Sequence, residues 1–291
     1  MGGENRKGHS TEREVIIMGL RINTNVSSLT AQRNLLRATE GLNRNFEHLS
    51  TGKRIARASD DAAGLAISSR LGAQIRGVDQ AVRNANDGIS LVQTAEGALS
   101  EIASTLVRMR EISVQANNGT LSSADKDNLQ AEFVQLQSSV DQVANSTNFN
   151  GLNLLNTSTA VTLQIGAGTT AGVDTMGVSM ANVTATSLSI NLLDVGSTGD
   201  ASAAIVALDT ALDTVTSSRG DFGAVQNRLS SAIAAMQVRS ENLSSAQSRI
   251  MDVDVAYETA NMTKNNILQQ AAISVLAQAN QQPSAALSLL G

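Results

Sequence analysis

Few side chains in this sequence have the chemistry to bind a metal ion. His9 and His48 are the only histidines, and the chain contains no cysteine. A zinc site needs three or four protein or solvent ligands, and thiolate sites and disulfides need cysteine. We therefore expect no metal site. The lack of cysteine also fits an exported chain that stays unfolded on its way out of the cell.

The adjacent carboxylates of Asp60 and Asp61 have the types and spacing of a general acid–base pair. The surrounding sequence, SDDAAGLAI, favours a different interpretation, because Ser59 or Asp60 before apolar residues is typical of a helix N-cap. Acidic side chains are also stabilised at the positive end of a helix. We interpret this pair as a helix start and not as a catalytic dyad.

Two further stretches look like ligand-binding loops but lack the required residues. RNANDGISLVQT has the glycine of a calcium loop, yet Arg83 and Thr94 stand where that loop needs carboxylates. We expect a polar interruption in a helical rod there. GAGTTAG spaces its glycines wrongly for a dinucleotide loop and lies between two predicted strands. The sequence therefore predicts no enzyme activity and no cofactor.

Composition excludes two classes of partner. The chain has 291 residues, a net charge of −5 and only 2% aromatic residues, and it has no basic block. Nucleic-acid binding needs basic patches and is helped by aromatic side chains, so we expect no nucleic-acid partner. No run of about 18 apolar residues occurs, so we expect no insertion into a membrane.

Heptad repeats dominate the elements that carry these residues. Sustained apolar heptads predict long helices that pair along a coiled-coil seam. Polar residues at companion positions, such as Gln226, Ser240 and Gln247, are either tolerated at the rim of the seam or fix its register while letting the helices slide slightly. The first apolar series is Leu71, Val78, Ala85, Val92, Leu99 and Leu106, and the second is Leu208, Val215, Phe222, Leu229, Met236, Leu243, Ile250 and Tyr257.

The middle of the chain has a different pattern. Residues 157–202 are rich in Thr, Gly, Val and Ser, and apolar residues alternate in two short runs around GAGTTAG. Alternation around a glycine-rich loop predicts a β-hairpin. We therefore expect a mainly α fold, with long coiled-coil helical rods from both chain ends and a small central β-hairpin region.

Both ends of the chain carry apolar stripes at helical spacing, so we expect the N- and C-terminal helices to pair with each other. Each stripe is wider than one partner helix can cover, which predicts self-association in many copies. Contacts that repeat without closing give a helical filament. The stripe expected between subunits comprises Val26, Leu29, Leu36, Leu268, Ala272, Val275, Leu276 and Leu290.

Residues 1–17 do not fit this pattern and lack the apolar core of a signal peptide. Arg13-Glu14-Val15 can be encoded by a purine-rich ribosome-binding sequence just before the codon of Met18. We interpret residues 1–17 as a non-native leader with translation from Met18; a disordered leader is the alternative. The segments expected after it are an N-terminal core helix (18–60), N-terminal rod helices (61–156), a short variable hairpin region (157–202), a C-terminal rod helix (203–251) and a C-terminal core helix (252–291).

Four stretches resemble bacterial flagellin and occur in that family's order: LSTGKRIARASDDAAGLAISSRL, RNANDGISLVQTAEGAL, GAVQNRLSSAI and SVLAQANQQPSAALSLLG. The sequence MGLRINTN from Met18 is similar to the family's usual start. The similarity covers residues 18–156 and 203–291. The resemblance implies the inner-core and rod-like domains of a short flagellin that lacks the large outer variable domains.

The resemblance also implies what the chain does. It implies a structural subunit that polymerises into the extracellular flagellar filament for motility after type III export. An export chaperone, the filament cap and hook-associated proteins are the implied partners. A hook–filament junction protein has similar ends and is the alternative. A secreted enzyme or an adhesin would use the central region, and residues 157–200 contain no His, Cys, Glu, Lys or Arg.

A last implied partner is the vertebrate Toll-like receptor for flagellin. Arg108 in LVRMREISVQ and Glu132 in LQAEF match receptor-contacting residues of the family, and Ile112 stands where the family often has Leu. Val107 and Met109 depart from the family on the same helix. The alternative is that Arg108 and Glu132 serve the packing of the rod.

Overall fold

The computed structural model describes residues 24–288, with the surroundings of side chains from residue 24 to residue 281. These residues form five helices and two antiparallel strand pairs, which confirms the mainly α fold with a small β-hairpin region. The leader 1–17 and Leu290 lie outside the described residues. The elements are α1 (Val26–Thr51), α2 (Ala62–Ala116), α3 (Ser123–Ser146), β1 (Asn148–Phe149), β2 (Leu152–Asn153), β3 (Ala160–Gln164), β4 (Thr175–Ser179), α4 (Ala201–Met251) and α5 (Val255–Ser288).

The chain divides into two compact units. Unit 1 comprises residues 1–65 and 250–291 and contains α1 and α5, whereas unit 2 comprises residues 66–249. The finer division into core, rod and variable segments stays a prediction. Among the helices between residues 24 and 288, none combines the length and apolar character that crossing a membrane requires.

The N-cap of α2 is one residue later in the chain than predicted. Asp61 is the N-cap, since its Oδ1 accepts the backbone N–H of Gly64 at 2.8 Å. Asp60, which with Ser59 was the predicted cap, accepts the backbone N–H of Arg57 at 2.8 Å instead. The prediction of the capping residue is therefore wrong, although the two carboxylates do have structural roles. One starts the helix and the other closes the turn before it.

In unit 2, α2 and α4 pack antiparallel. Ser240 Oγ donates to Asp79 Oδ1 at 3.0 Å, and Gln247 Nε2 donates to the carbonyl oxygen of Ser68 at 3.2 Å. Two of the polar companion residues thus bond across the seam. Such bonds lose their partners if one helix slides along the other, so they favour the interpretation that polar seam residues fix the register.

The two apolar heptad series meet along this seam, and burial is most complete towards the end of the first series and the start of the second. Tyr257, the last residue of the second series, is exposed and lies in α5, beyond the helix break after Met251. The second series therefore ends at Ile250. Of the predicted seam residues, Val78, Val92, Leu99, Leu106, Leu229 and Met236 are buried, and Leu71, Leu243 and Ile250 are half-buried.

β3 and β4 form the predicted hairpin, with Val161 opposite Val178 and Leu163 opposite Met176. Leu163 and Met176 pack into the α2–α4 seam. The stretch RNANDGISLVQT lies within the rod, and α2 stays helical through it. Gly88 is buried there, and a Cβ at that position would collide with Leu163 Cδ1. The absence of a side chain at Gly88 therefore leaves room on the continuous helix α2 for Leu163 of the hairpin.

The central region also contains packed structure beyond the hairpin. Residues 180–200 form turns without a regular helix or strand, yet Val183, Ile190 and Val195 are fully buried. Their segment is held by polar side chains on one face of α3. The acceptors Asp127, Gln130 and Asp141 bind the backbone N–H groups of Ser197, Val195 and Ala185. The bond from Ser197 also lowers the pKa of Asp127.

Replacing Gly88 with valine tests whether the hairpin needs a glycine at its contact with α2. The added side chain would displace Leu163 and overpack the seam, which costs about 1–3 kcal/mol. We expect a lower urea midpoint of unfolding, which is measured by circular dichroism of the monomer.

Gly97→Val is the matched control. It changes the same helix, but no atom outside the helix lies within 4 Å of a Cβ added at Gly97. Its midpoint should equal or exceed that of the unmodified chain, because valine has a higher helix propensity than glycine. Equal midpoints for the two variants would contradict the role of Gly88.

Candidate functional site

In unit 1, α1 and α5 pack side by side in antiparallel orientation. Near the start of α1, Ser28 Oγ donates to Asn280 Oδ1 at 2.8 Å. Further along, Gln269 Nε2 donates to Thr39 Oγ1 at 3.2 Å. Residues early in α1 therefore meet residues late in α5. The N- and C-terminal helices pair as expected from the sequence.

Small side chains fill the interior of this pair. α1 buries Ala31 and Ala38, and α5 buries Ala279. Gly41 of α1 lies so close to α5 that an added Cβ would come within 2.8 Å of Asn265 Nδ2. Small residues at the contact let the two helix axes approach closely.

Many of the large apolar side chains of both helices are exposed, and others, such as Leu42 and Leu276, are only half-buried. Leu36 is 63% exposed and Val275 is 56% exposed, the reverse of a helix pair that buries its large apolar residues. Exposed apolar surface of this extent marks an interaction site. We call it the outer apolar surface, and it comprises Val26, Leu29, Leu36 and Phe46 of α1 with Val255, Tyr257, Ile267, Leu268, Ile273 and Val275 of α5.

A groove of about 440 Å³ lies along this surface between the two helices. Ala31 and Ala38 contribute to its lining from α1, and Leu268, Ala272 and Val275 contribute from α5. Small residues at the helix contact with larger apolar residues beside them leave room for side chains of another molecule. The groove is therefore part of the same candidate interaction site.

At the other end of the pair, polar side chains replace the alanines. Asn45 is 6% exposed and Glu258 is 8% exposed. Asn45 Nδ2 donates to Glu258 Oε1 at 2.7 Å, and Asn265 Nδ2 donates to Asn45 Oδ1 at 2.7 Å. His48 Nδ1 lies 3.1 Å from the same Glu258 oxygen. We call these four residues the polar network.

The polar network lies near the end of α1, at Thr51, and the start of α5, at Val255. The α1–α2 connection bonds to the α4–α5 connection, since the backbone N–H of Val253 donates to the carbonyl oxygen of Gly52 at 3.1 Å. Asp60 Oδ2 lies 4.0 Å from His48 Nε2. The hydrogen bond from the backbone N–H of Arg57 chiefly lowers the pKa of Asp60, and His48 contributes. The connection is thus tied to α1.

The structure brings most of the predicted inter-subunit stripe to one unit. The three members from α1 and four members from α5 differ in how far they are exposed, and Leu290 lies outside the described residues. Val26, Leu29, Leu36, Leu268 and Val275 are exposed, whereas Ala272 and Leu276 are half-buried.

The three candidate receptor contacts divide into two exposed residues and one buried residue. Arg108 Nη2 lies 2.8 Å from Glu132 Oε1, and Arg108 Nη1 lies 3.2 Å from Glu111 Oε2. The hydrogen bonds to Glu132 and then Glu111 raise the pKa of Arg108. Ile112 is only 1% exposed in the core of unit 2, so its side chain is not available to a receptor. The expectation for Ile112 is wrong for the folded chain.

The described residues contain no group of three or more His, Asp or Glu side chains arranged to hold a metal ion. The notable polar cluster, the polar network, lies between two helices and bonds to itself. Long helices with buried heptad seams, joined to a helix pair with exposed large apolar side chains, define the class of structural proteins that assemble through helical surfaces.

Comparisons with known proteins identify the family. The model described as "Bacterial flagellin N-terminal helical region" matches residues 22–160, and the one described as "Bacterial flagellin C-terminal helical region" matches residues 205–290. The flagellin of Halalkalibacterium halodurans is 45% identical over 275 residues, covering 92% of this chain and 99% of that protein. The flagellar filament 33 kDa core protein of Treponema phagedenis is 41% identical over 290 residues, covering 92% and 99%.

The chain belongs to the flagellin family. It is a structural subunit of the bacterial flagellar filament, which is extracellular, and it is not an enzyme. A solved structure described as a flagellar hook-associated protein of Vibrio parahaemolyticus matches with 16% identity and a TM-score of 0.55, covering 66% of this chain and 100% of that one. At that identity the match shows a shared fold alone. The relatives above therefore favour a filament subunit over a hook–filament junction protein.

Proposed function

We propose that the outer apolar surface of α1 and α5 forms the principal contact between subunits of the filament. The observation that supports this proposal is the reversed packing of unit 1. The most deeply buried residues of its helix pair are alanines and polar side chains, whereas many of the large apolar side chains remain exposed. In a monomer this arrangement leaves the main hydrophobic contribution unused.

The energy that contact between copies would release is large. Fully burying a side chain such as Val, Leu, Ile or Phe stabilises by about 1.5–3 kcal/mol. Several such side chains lie on each helix of the pair, so even partial burial competes with the cost of ordering and immobilising a subunit, about 4–15 kcal/mol. Because the exposed apolar residues lie on both α1 and α5, one copy can contact a neighbour through α1 and another through α5, which are unlike surfaces. Such heterologous contacts continue into a filament when they do not close.

The same surface supports the finer partner proposals. Before assembly, exposed apolar side chains of α5 would favour aggregation. An export chaperone that covers α5 would prevent this and leave when the subunit is incorporated. The filament cap and the hook-associated proteins would contact the first and last subunits through the surfaces that neighbouring subunits otherwise cover.

Charged substitutions on the outer apolar surface test the proposal. We expect Leu36→Glu and Leu268→Glu to fold as the unmodified monomer does, because both side chains are exposed. Burial of an unpaired carboxylate between subunits should slow seeded filament elongation by at least about tenfold. Light scattering after addition of short filament seeds measures the rate.

Gln270→Glu is the matched control on α5. Gln270 is exposed. The substitution introduces the same charge two residues from Leu268 without replacing an apolar side chain. Its elongation rate should stay close to that of the unmodified chain. Elongation of the Leu268→Glu variant at the control rate would remove this surface from the filament contact.

We further propose that Arg108 and Glu132 contribute to recognition by the vertebrate Toll-like receptor for flagellin. Both side chains are about half exposed and form an ion pair across α2 and α3. Their charges therefore remain within reach of a partner on unit 2. Ile112 has no part in the proposal, because its side chain is buried.

Arg108→Asp tests the receptor proposal. The substitution reverses the charge and places three carboxylates together, with Glu111 and Glu132. We expect the concentration for half-maximal signalling in a receptor reporter assay to rise by at least about tenfold.

Arg110→Asp is the control for receptor signalling. It reverses a charge on the same helix, where Arg110 pairs with Asp209 of α4 at 2.6 Å. Receptor signalling should change much less than with Arg108→Asp. Unchanged signalling by the Arg108→Asp chain would rule out the assignment of Arg108.

A further inference from the structure

The interior of the α1–α5 pair has an uneven composition along its length. On each helix, positions seven residues apart carry alanine towards one end and a polar side chain towards the other. At the alanine end, the buried groups are methyls of one size. At the other end, the buried groups are an amide and a carboxylate. The positions are Ala31, Ala38 and Asn45 on α1, and Glu258, Asn265, Ala272 and Ala279 on α5.

The alanine end alone sets the register of the two helices only weakly. If α5 shifted along α1 by seven residues, alanine would replace alanine over part of the contact, and the shape of the interior would change little. Large interlocking side chains normally resist such a shift. On α1 the half-buried large side chains, Leu35, Leu42 and Leu49, also repeat every seven residues, so a shift of one heptad replaces leucine by leucine.

The polar end cannot shift without loss. Asn45 donates to Glu258 and accepts from Asn265, each at 2.7 Å, so its amide is used on both sides. A shift by one heptad would separate Asn45 from at least one of these partners. It would leave a buried amide or carboxylate without a hydrogen bond, which is costlier than the loss of the bond itself. Buried polar groups of this kind fix helix register at a cost in stability.

We propose that the polar network sets the register of α5 against α1 and thereby aligns the apolar residues of the two helices into one assembly surface. Asn45, Glu258 and Asn265 are positioning residues in this arrangement. They act through the outer apolar surface and do not themselves contact a neighbouring subunit. The inference rests on the proposed function of that surface, but the register can be measured without a filament.

The test variant replaces all three positioning residues with leucine: Asn45→Leu, Glu258→Leu and Asn265→Leu. Replacing Asn45 together with both of its partners removes the two bonds at once, and the remaining member, His48, keeps Asp60 at 4.0 Å. We expect helicity and the urea midpoint of the monomer to be maintained or raised. We expect seeded elongation to be at least about tenfold slower, because shifted pairs present a mismatched surface.

Thiol crosslinking reads the register directly, because the chain has no cysteine of its own. The pair Thr39→Cys and Gln269→Cys reports the native register, since these side chains meet across the two helices. The pairs Thr39→Cys with Met262→Cys and Thr39→Cys with Leu276→Cys report a shift of one heptad, about 10 Å. A short bismaleimide should link only the native pair in the unmodified background. It should also link a shifted pair in the leucine variant.

The matched control removes a polar pair at the opposite end of the helices, through Ser28→Ala and Asn280→Ala. That pair is exposed and makes one hydrogen bond. The control variant should keep the native crosslink and the normal elongation rate.

Three results would overturn the proposal: native crosslinking alone in the leucine variant, elongation of that variant at the normal rate, or loss of its helicity. The last result would make the network necessary for pairing itself and not for its register. If the unmodified chain failed to elongate on seeds, the proposed function would fail, while the crosslinking pattern would still report the register.

Discussion

The arrangement of unit 1 depends on one constraint: its two helices bury small and polar side chains most completely and leave many large apolar ones exposed. Ala31, Ala38 and Ala279 allow close approach, whereas Leu36, Leu268 and Val275 remain in solvent. Hydrophobic burial is the main favourable term in folding, so a pair built this way keeps much of that term for contact with other molecules. Polymerisation into a filament supplies that contact, and the stability of unit 1 becomes linked to assembly.

Unit 2 buries its large apolar side chains within one chain. Its heptad residues, such as Leu99, Leu106 and Leu229, are fully buried against each other and against the hairpin and the 180–200 segment. Unit 2 therefore has a complete core of its own, which suits a part of the subunit that must keep its structure before and after assembly. The contrast between the two units assigns folding stability to one and association to the other.

Heptad spacing predicted the long helices, the seam and the pairing of the chain ends, because periodicity reports directly which face of a helix is apolar. It could not show that large residues such as Leu36 and Val275 remain exposed, since alanine at Ala31 and Ala38 carries little pattern of its own. The polar network was missed for a related reason: Asn45, Glu258 and Asn265 look like solvated residues until α1 and α5 are brought together. The errors at Asp60, Tyr257 and Ile112 arose where one residue of register or the burial of one helix face decides the outcome.

Thiol accessibility at the outer apolar surface tests the central claim most directly. Because the chain has no cysteine, a single cysteine at residue 36 or 268 reports one site without interference. Maleimide labelling should be rapid in the monomer and strongly suppressed in the assembled filament, whereas a cysteine at the exposed position of Ser100 on α2 serves as a reference for general access. Labelling of residues 36 and 268 in the filament at the monomer rate would contradict the account.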